Sequence, residues 1–334
     1  MENKGFEGVA GHREIIDYMK NAVTEDNISH AYILNGEKGA GKKLLAGLFA
    51  LSLDCMDRQE GFKPCYACAS CKKMLGDNHP DVTWVTHEKP TSIGVSDIRA
   101  QVVDDIDIKP FESAKKIYII PEADKMTPQA QNALLKTIEE PPAYVVIFLL
   151  TENMETLLDT VKSRCVVLNL RNIKDSLIKD YLIANYAISD YEAGLCTAFA
   201  QGNMGRAITL ATSEHFNEIK EEALRLLRHI SAMELSEVIE ALKRISEYKM
   251  DIIDYLDLFL VWYRDVLYYK ATKDINGVVF NDQRASLKEQ AEVYSYEGLE
   301  DIIAAVRKAK MRLKANVNFD LAIELLYLTI RENR

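Results

Sequence analysis

Two hydrophobic periods divide the chain. Up to residue 170, five short apolar runs alternate with helical stretches, at 31–35, 82–86, 116–120, 144–150 and 165–170. Strands alternating with helices predict a parallel sheet covered on both faces, an α/β domain. Ser96 is placed to cap a helix burying Ile98, Val102, Val103 and Ile106. Thr127 followed by Pro128 reads as the N-cap and first position of another, with Leu134, Leu135 and Ile138 inward, ended by Glu139-Glu140-Pro141-Pro142. Beyond residue 170 the strand signal stops. A small helical unit is expected around Ile178, Tyr181, Leu182, Leu195, Phe199, Ile208 and Leu210, and longer helices follow from His215. Phe216, Ile219, Ala223, Leu226, Leu227 and Ile230 keep the spacing of one apolar stripe, whereas 253–269 is apolar nearly all round, as in a helix buried on several sides.

The first strand runs into Gly36-Glu37-Lys38-Gly39-Ala40-Gly41-Lys42, a G-x4-G-K phosphate loop in its required strand-to-helix context. Such a loop cradles phosphates with backbone N–H groups, and its lysine reaches the terminal ones. The next position should carry a Ser or Thr hydroxyl for Mg²⁺, but it is Lys43. The third strand ends in Pro121-Glu122-Ala123-Asp124, where Pro121 replaces the metal-holding Asp. Both protein groups that position magnesium are missing, so Mg²⁺ is not expected and γ-phosphate cleavage loses its main charge stabiliser. Gly36, Gly39, Gly41 and Lys42 could still hold ATP or ADP without hydrolysing it. The competing reading is a glycine-rich turn with no ligand.

Four of the six cysteines cluster as Cys55-x9-Cys65-x2-Cys68-x2-Cys71. Paired C-x2-C spacings suit the corners of a tetrahedron, and four sulfurs with no open position make a structural Zn²⁺ site. Lys63, Lys72 and Lys73 are expected to offset its negative charge. A disulfide pair is the bland alternative and does not suit a reducing cytosol. An iron–sulfur cluster fits less well, because position 75 is leucine where a bacterial ferredoxin run wants cysteine. Cys165 and Cys196 sit in apolar stretches and read as core residues, and His79 and Trp84 as packing residues.

The chain has 334 residues, enough for two or three domains, and is 48% hydrophobic and 28% charged, as globular proteins are. No run of about 18 apolar residues exists, so no transmembrane helix and no membrane partner are expected. The N-terminus lacks a cationic and then apolar stretch, so a cytoplasmic location is the default. The net charge of −10 argues against wrapping nucleic acid alone, which counts against a zinc-mediated DNA-binding module.

In order and spacing, the motifs resemble the bacterial AAA+ clamp-loader family of DNA polymerase III over nearly the whole chain. The likeness rests on His30-Ala31-Tyr32, the phosphate loop, the cysteine insert, His79-Pro80-Asp81-Val82, Gly94-Val95, residues 132–142, Ser163-Arg164-Cys165, and Asn316-Val317-Asn318 followed by Leu321, Leu325 and Leu328. The resemblance implies an AAA+ α/β domain at 1–170 with a zinc module at 55–75, a helical lid at 171–214, and a helical oligomerisation collar at 215–334. It implies gamma/tau and delta subunits as partners, with the sliding clamp and primed DNA reached through the assembly. By the same resemblance Arg164 is an arginine finger acting in trans on a neighbouring subunit's ATP. The family's active motors also carry an Arg in the lid where this chain has Gly205, with Arg206 one place on. Three altered nucleotide-handling positions favour a non-hydrolysing stator. The alternative is a gamma/tau-like active ATPase using Glu122, with Asp124 as a substitute metal ligand.

Overall fold

The computed structural model describes residues 5–230, 237, 240, 243–246, 248–315 and 317–333. Met1–Lys4 and Asn316, which figure in the sequence reading, lie outside them. The chain divides into two compact units, Met1–Ile178 with Gly202–Arg206, and Lys179–Gln201 with Ala207–Arg334.

The first unit is built on five strands, β1 (Ala31–Asn35), β2 (Val82–Trp84), β3 (Lys116–Ile120), β4 (Val145–Thr151) and β5 (Val166–Asn169), all parallel in the order β2-β3-β4-β1-β5. All five expected strands form, two of them shorter than expected. Strand side chains alternate between faces, so each face buries its own core. Tyr32, Ile117 and Phe148 face one core with α1 (Arg13–Thr24), α2 (Lys42–Asp54) and α3 (Ala69–Leu75). There Tyr32, Phe49 and Phe148 pack with ring centroids 5.3–5.6 Å apart. Ile33, Tyr118 and Ile147 face the other core, against α4 (Val95–Ile98), α5 (Pro128–Glu139) and α6 (Asp159–Lys162).

Thr127 caps α5 as expected, its Oγ1 accepting from Ala130 N at 3.2 Å with Pro128 in the first turn. Ser96 does not cap α4. The helix begins two residues earlier, with Gly94 as N-cap, and Gly94 N donates to the Asp97 carboxylate at 2.8 Å. α4 then runs into a wider π turn, Arg99–Val103, and Ile98, Val102 and Ile106 stay buried through the change.

The second unit is helical among its described residues. It includes most of α7 (Asp175–Tyr186), α8 (Asp190–Ala200), α9 (Met204–Thr212, entered from the first unit), α10 (Glu214–His229), and the helices Ile252–Thr272, Arg284–Val293, Tyr296–Lys314 and Phe319–Glu332. The expected all-round burial of 253–269 is met by Tyr255, Phe259, Trp262, Tyr263 and Val266. Two buried carboxylates on that helix are satisfied internally. Asp265 accepts N–H bonds from Val279 and Phe280 at 2.8 Å each, and buried Asp257 pairs with Lys310. On Phe319–Glu332 the core is met by Ala322, Ile323, Leu326, Tyr327 and Ile330. Leu321, Leu325 and Leu328 stand outward, 51%, 38% and 48% exposed. Among the described residues no helix is long and apolar enough to cross a membrane.

Candidate functional site

Three groups of residues carry chemistry, and all lie in the first unit. The phosphate loop leaves β1 at the carboxyl end of the sheet and enters α2, with Gly39 and Gly41 at φ +86° and +101°, where a side chain would be strained. The Lys42 ammonium folds back onto the loop, bonding Gly36 O at 2.5 Å and Glu37 O at 2.9 Å, with the Glu152 carboxylate 3.9 Å away. Burial draws this ammonium below its usual range against the opposing pull of Glu152, Asp124 and Glu37.

The next three carbonyls of the loop are also occupied. Asn203 Nδ2 donates to Lys38 O at 2.7 Å, Gly205 N to Gly39 O at 2.9 Å, and the His12 Nε2 edge meets Ala40 O at 3.0 Å. The approach of Gly205 is backbone on backbone, and a Cβ there would lie 2.6 Å from Gly39 O and 2.7 Å from its Cα. From the sequence, Gly205 is only a missing arginine. In the fold it is a position where no side chain fits.

The groups expected to replace the lost magnesium ligands are engaged elsewhere. Glu122 takes a left-handed backbone conformation, φ +52°, and its carboxylate binds Lys125 at 2.9 Å and His87 Nε2 at 3.2 Å. Lys125 first, with a smaller part from His87, holds its carboxyl below the usual range. Asp124 Oδ1 accepts Glu152 N at 3.1 Å. Lys43 is exposed at the start of α2, and Pro121 ends β3 with no acidic side chain.

The second group is the cysteine cluster. Cys55 follows α2, Cys68 is the N-cap of α3, and Cys71 lies within α3. Helix ends thus set three of the four positions, and the ligand atoms of Cys55, Cys65, Cys68 and Cys71 all lie within 4.8 Å of one another. Backbone N–H groups point at the sulfurs, Cys65 N to Cys55 Sγ at 3.2 Å, Cys68 N to Cys65 Sγ at 3.3 Å and Cys71 N to Cys68 Sγ at 3.4 Å. None of the four is joined in a disulfide. Donors gathered this closely, with N–H groups to stabilise negative sulfur, can hold a metal ion. Two lysines expected to offset the charge are committed to carboxylates instead, Lys63 to Glu7 and Glu60, and Lys73 to Glu112. His79 is buried against Ser70 and Ser113, and burial pushes the Cys165 and Cys196 thiols up to about 12 and about 11; Cys196 is a core residue as expected, whereas Cys165 is half-buried against the core.

The third group is Arg164, just after α6 in the turn that leads to β5. Its Nη1 donates to Thr160 O at 2.9 Å and Ser163 Oγ at 3.2 Å, and Nη2 lies 2.9 Å from Glu139 Oε1 at the end of α5. A surface pair with a carboxylate is therefore present in the isolated chain. Sequence reasoning also missed Gln131. Its buried amide donates to Met126 O and Thr156 O and accepts Leu158 N, tying α5 to the segment that carries α6. A polar residue on the buried side of a helical pattern was the available signal.

Comparison with known proteins places these motifs. The family model described as "DNA polymerase III, delta subunit" matches residues 11–174, and "DNA polymerase III, delta subunit, C terminal" matches 217–332. The chain is 32% identical to the Bacillus subtilis DNA polymerase III subunit delta' over 326 residues, 95% of each chain. It is 27% identical to the B. subtilis subunit tau over 331 residues, 92% of this chain and 58% of tau. A solved gamma subunit-related protein of Thermotoga maritima covers 96% of this chain at 20% identity, with a TM-score of 0.43 that is too low to carry weight. A likeness that spans both units at this identity, on a five-stranded parallel sheet with a degenerate phosphate loop, leaves one conclusion: the chain belongs to the delta-prime family of AAA+ clamp-loader subunits of DNA polymerase III.

Proposed function

We propose that this chain is a non-hydrolysing stator of the clamp loader, which lends Arg164 to an ATP held by a neighbouring gamma/tau-type subunit. The observation that carries the first half is the condition of the would-be ATPase site. Lys43 and Pro121 stand at the two magnesium positions, and Glu122, the group expected to stand in for them, is held by Lys125 and His87. Without a grip on the divalent ion, the loop keeps its shape but not its chemistry. Asp124 does not rescue the gamma/tau-like alternative, because one of its oxygens is spent on Glu152 N.

Arg164 supports the second half by its place and fixation. It is partly exposed, after a short helix, with its guanidinium held at three points. A cation so placed can stabilise charge developing on a phosphate brought by another subunit, where an arginine finger is worth roughly 10³-fold or more in rate. The cysteine cluster we assign as a structural Zn²⁺ site, since four thiolates leave no open position for substrate. The proposed division of labour is an α/β domain at 1–170, a lid at 171–214 and a collar at 215–334, with Leu321, Leu325 and Leu328 offered to a neighbouring collar helix of gamma/tau or delta. The sliding clamp and primed DNA would be met through that assembly. The test is Arg164→Ala in a loader reconstituted with gamma/tau and delta. ATP turnover and clamp loading are expected to collapse, and unchanged rates would sink the assignment.

A further inference from the structure

Glu139 is the last residue of α5 and Glu140 follows it, so two carboxylates stand at the negative end of a helix. That placement is unfavourable unless a cation is brought to it, and Arg164 is brought there. The two side chains are 38% and 43% exposed, and a pair so open adds little to stability. Its effect is geometric. The bonds from Nη1 to Thr160 O and Ser163 Oγ lie within the arginine's own turn and move with that turn. Glu139 is the contact from a different element. Two turns earlier on the same helix, Gln131 holds Thr156 O and Leu158 N. α5 thus grips the 156–164 stretch at both ends.

We propose that Glu139 is a positioning residue that pre-sets the Arg164 guanidinium for a triphosphate presented by a neighbouring subunit. The inference rests on the reading of Arg164 as a trans-acting group. Two of the five guanidinium N–H donors bond Thr160 O and Ser163 Oγ and Glu139 pairs with Nη2, which leaves donors on the guanidinium for an incoming phosphate. An arginine already fixed in one rotamer loses little side-chain freedom at the moment of reaction, which is the gain that preorganisation brings. A helix-terminal carboxylate suits this task because it holds one edge of the guanidinium and leaves the rest to the incoming phosphate.

The experiment uses the full chain in the loader reconstituted with gamma/tau and delta, with clamp and primed DNA, and reads steady-state ATP turnover. Glu139→Ala is expected to lower kcat on the order of fivefold at nearly unchanged KM for ATP. Glu139→Gln, which keeps the shape and an acceptor oxygen, should recover part of the loss. The double variant with Arg164→Ala should be no slower than Arg164→Ala alone. Glu139→Ala at the wild-type rate, while Arg164→Ala is slow, would overturn the positioning role and leave the trans-acting reading standing. A faster Glu139→Ala would make the carboxylate a brake and overturn it as well. An inert Arg164→Ala would remove the reading beneath both. Should Glu139→Ala fail to fold, Glu139→Gln in the same reconstituted loader serves instead, with kcat expected to fall between those of wild type and Arg164→Ala. A wild-type kcat for Glu139→Gln in that case would count against the proposal.

Discussion

The cysteine cluster and the phosphate loop are both recognisable motifs in one compact unit, and they have opposite fates. In the cluster all four donors are present, their sulfurs converge, and backbone N–H groups turn toward them. In the loop the glycines and lysine are present, but the surrounding groups have turned to one another. Lys42 bonds the loop's own carbonyls, Asn203 and Gly205 take the next two, and Glu122 is held by a lysine and a histidine. Retention of a pattern therefore says that a backbone shape is kept. Only the partners of its side chains say whether the chemistry is kept too.

The largest effect that would break this contrast is at the cluster. If the cluster holds its metal as proposed, Cys71→Ser is expected to abolish metal binding and to lower the thermal midpoint by about 10 °C. Metal content and calorimetry check this, and a metal-free wild-type chain with an unchanged midpoint would end the structural-site reading. Next comes Gly205→Arg, which restores the arginine of the active relatives. Because a Cβ at this position meets the Gly39 backbone at 2.6 Å, the substitution should cost roughly 2–3 kcal/mol in urea unfolding and confer no ATP hydrolysis. A stable and hydrolytic variant would show that the loop was merely awaiting its arginine.

Lys42→Ala sharpens the comparison further. It removes two charge-assisted bonds within the loop, so about 1–2 kcal/mol of stability should go even without nucleotide present. Denaturant titration with and without ATP separates this from loss of a ligand contact. The smallest effect concerns His12. Burial lowers its pKa, and the Ala40 carbonyl only partly opposes that. At this site the unfolded chain then binds more protons than the folded one below about pH 6.5, so its contribution to stability falls as pH drops from there, while the buried Asp54 carboxyl, pushed up to about 8, acts in the opposite sense. His12→Gln should therefore make stability change more favourably between pH 7 and 5.5 than in wild type, with the similar contribution of buried His79 left in place. Unfolding free energies at pH 7 and 5.5 measure the slope.

The order and spacing of apolar runs determined the five strands and their parallel pairing, because a strand covered on both faces needs a short continuous hydrophobic run. Turn and cap residues did the same for α5, where Thr127 and Pro128 satisfy the first-turn geometry locally. The cysteine spacing likewise announced a converging four-sulfur donor set, since C-x2-C is itself a local geometry. Ser96 misled because Gly94 with Asp97 supplies the same capping chemistry two residues earlier. What only the tertiary structure decided was who meets whom across long separations. Asn203 and Gly205 lie on the phosphate loop some 165 residues away, His87 lies beside Glu122, and Glu139 beside Arg164. Those contacts depend on how helices and strands pack, and no local pattern encodes a partner brought in by packing.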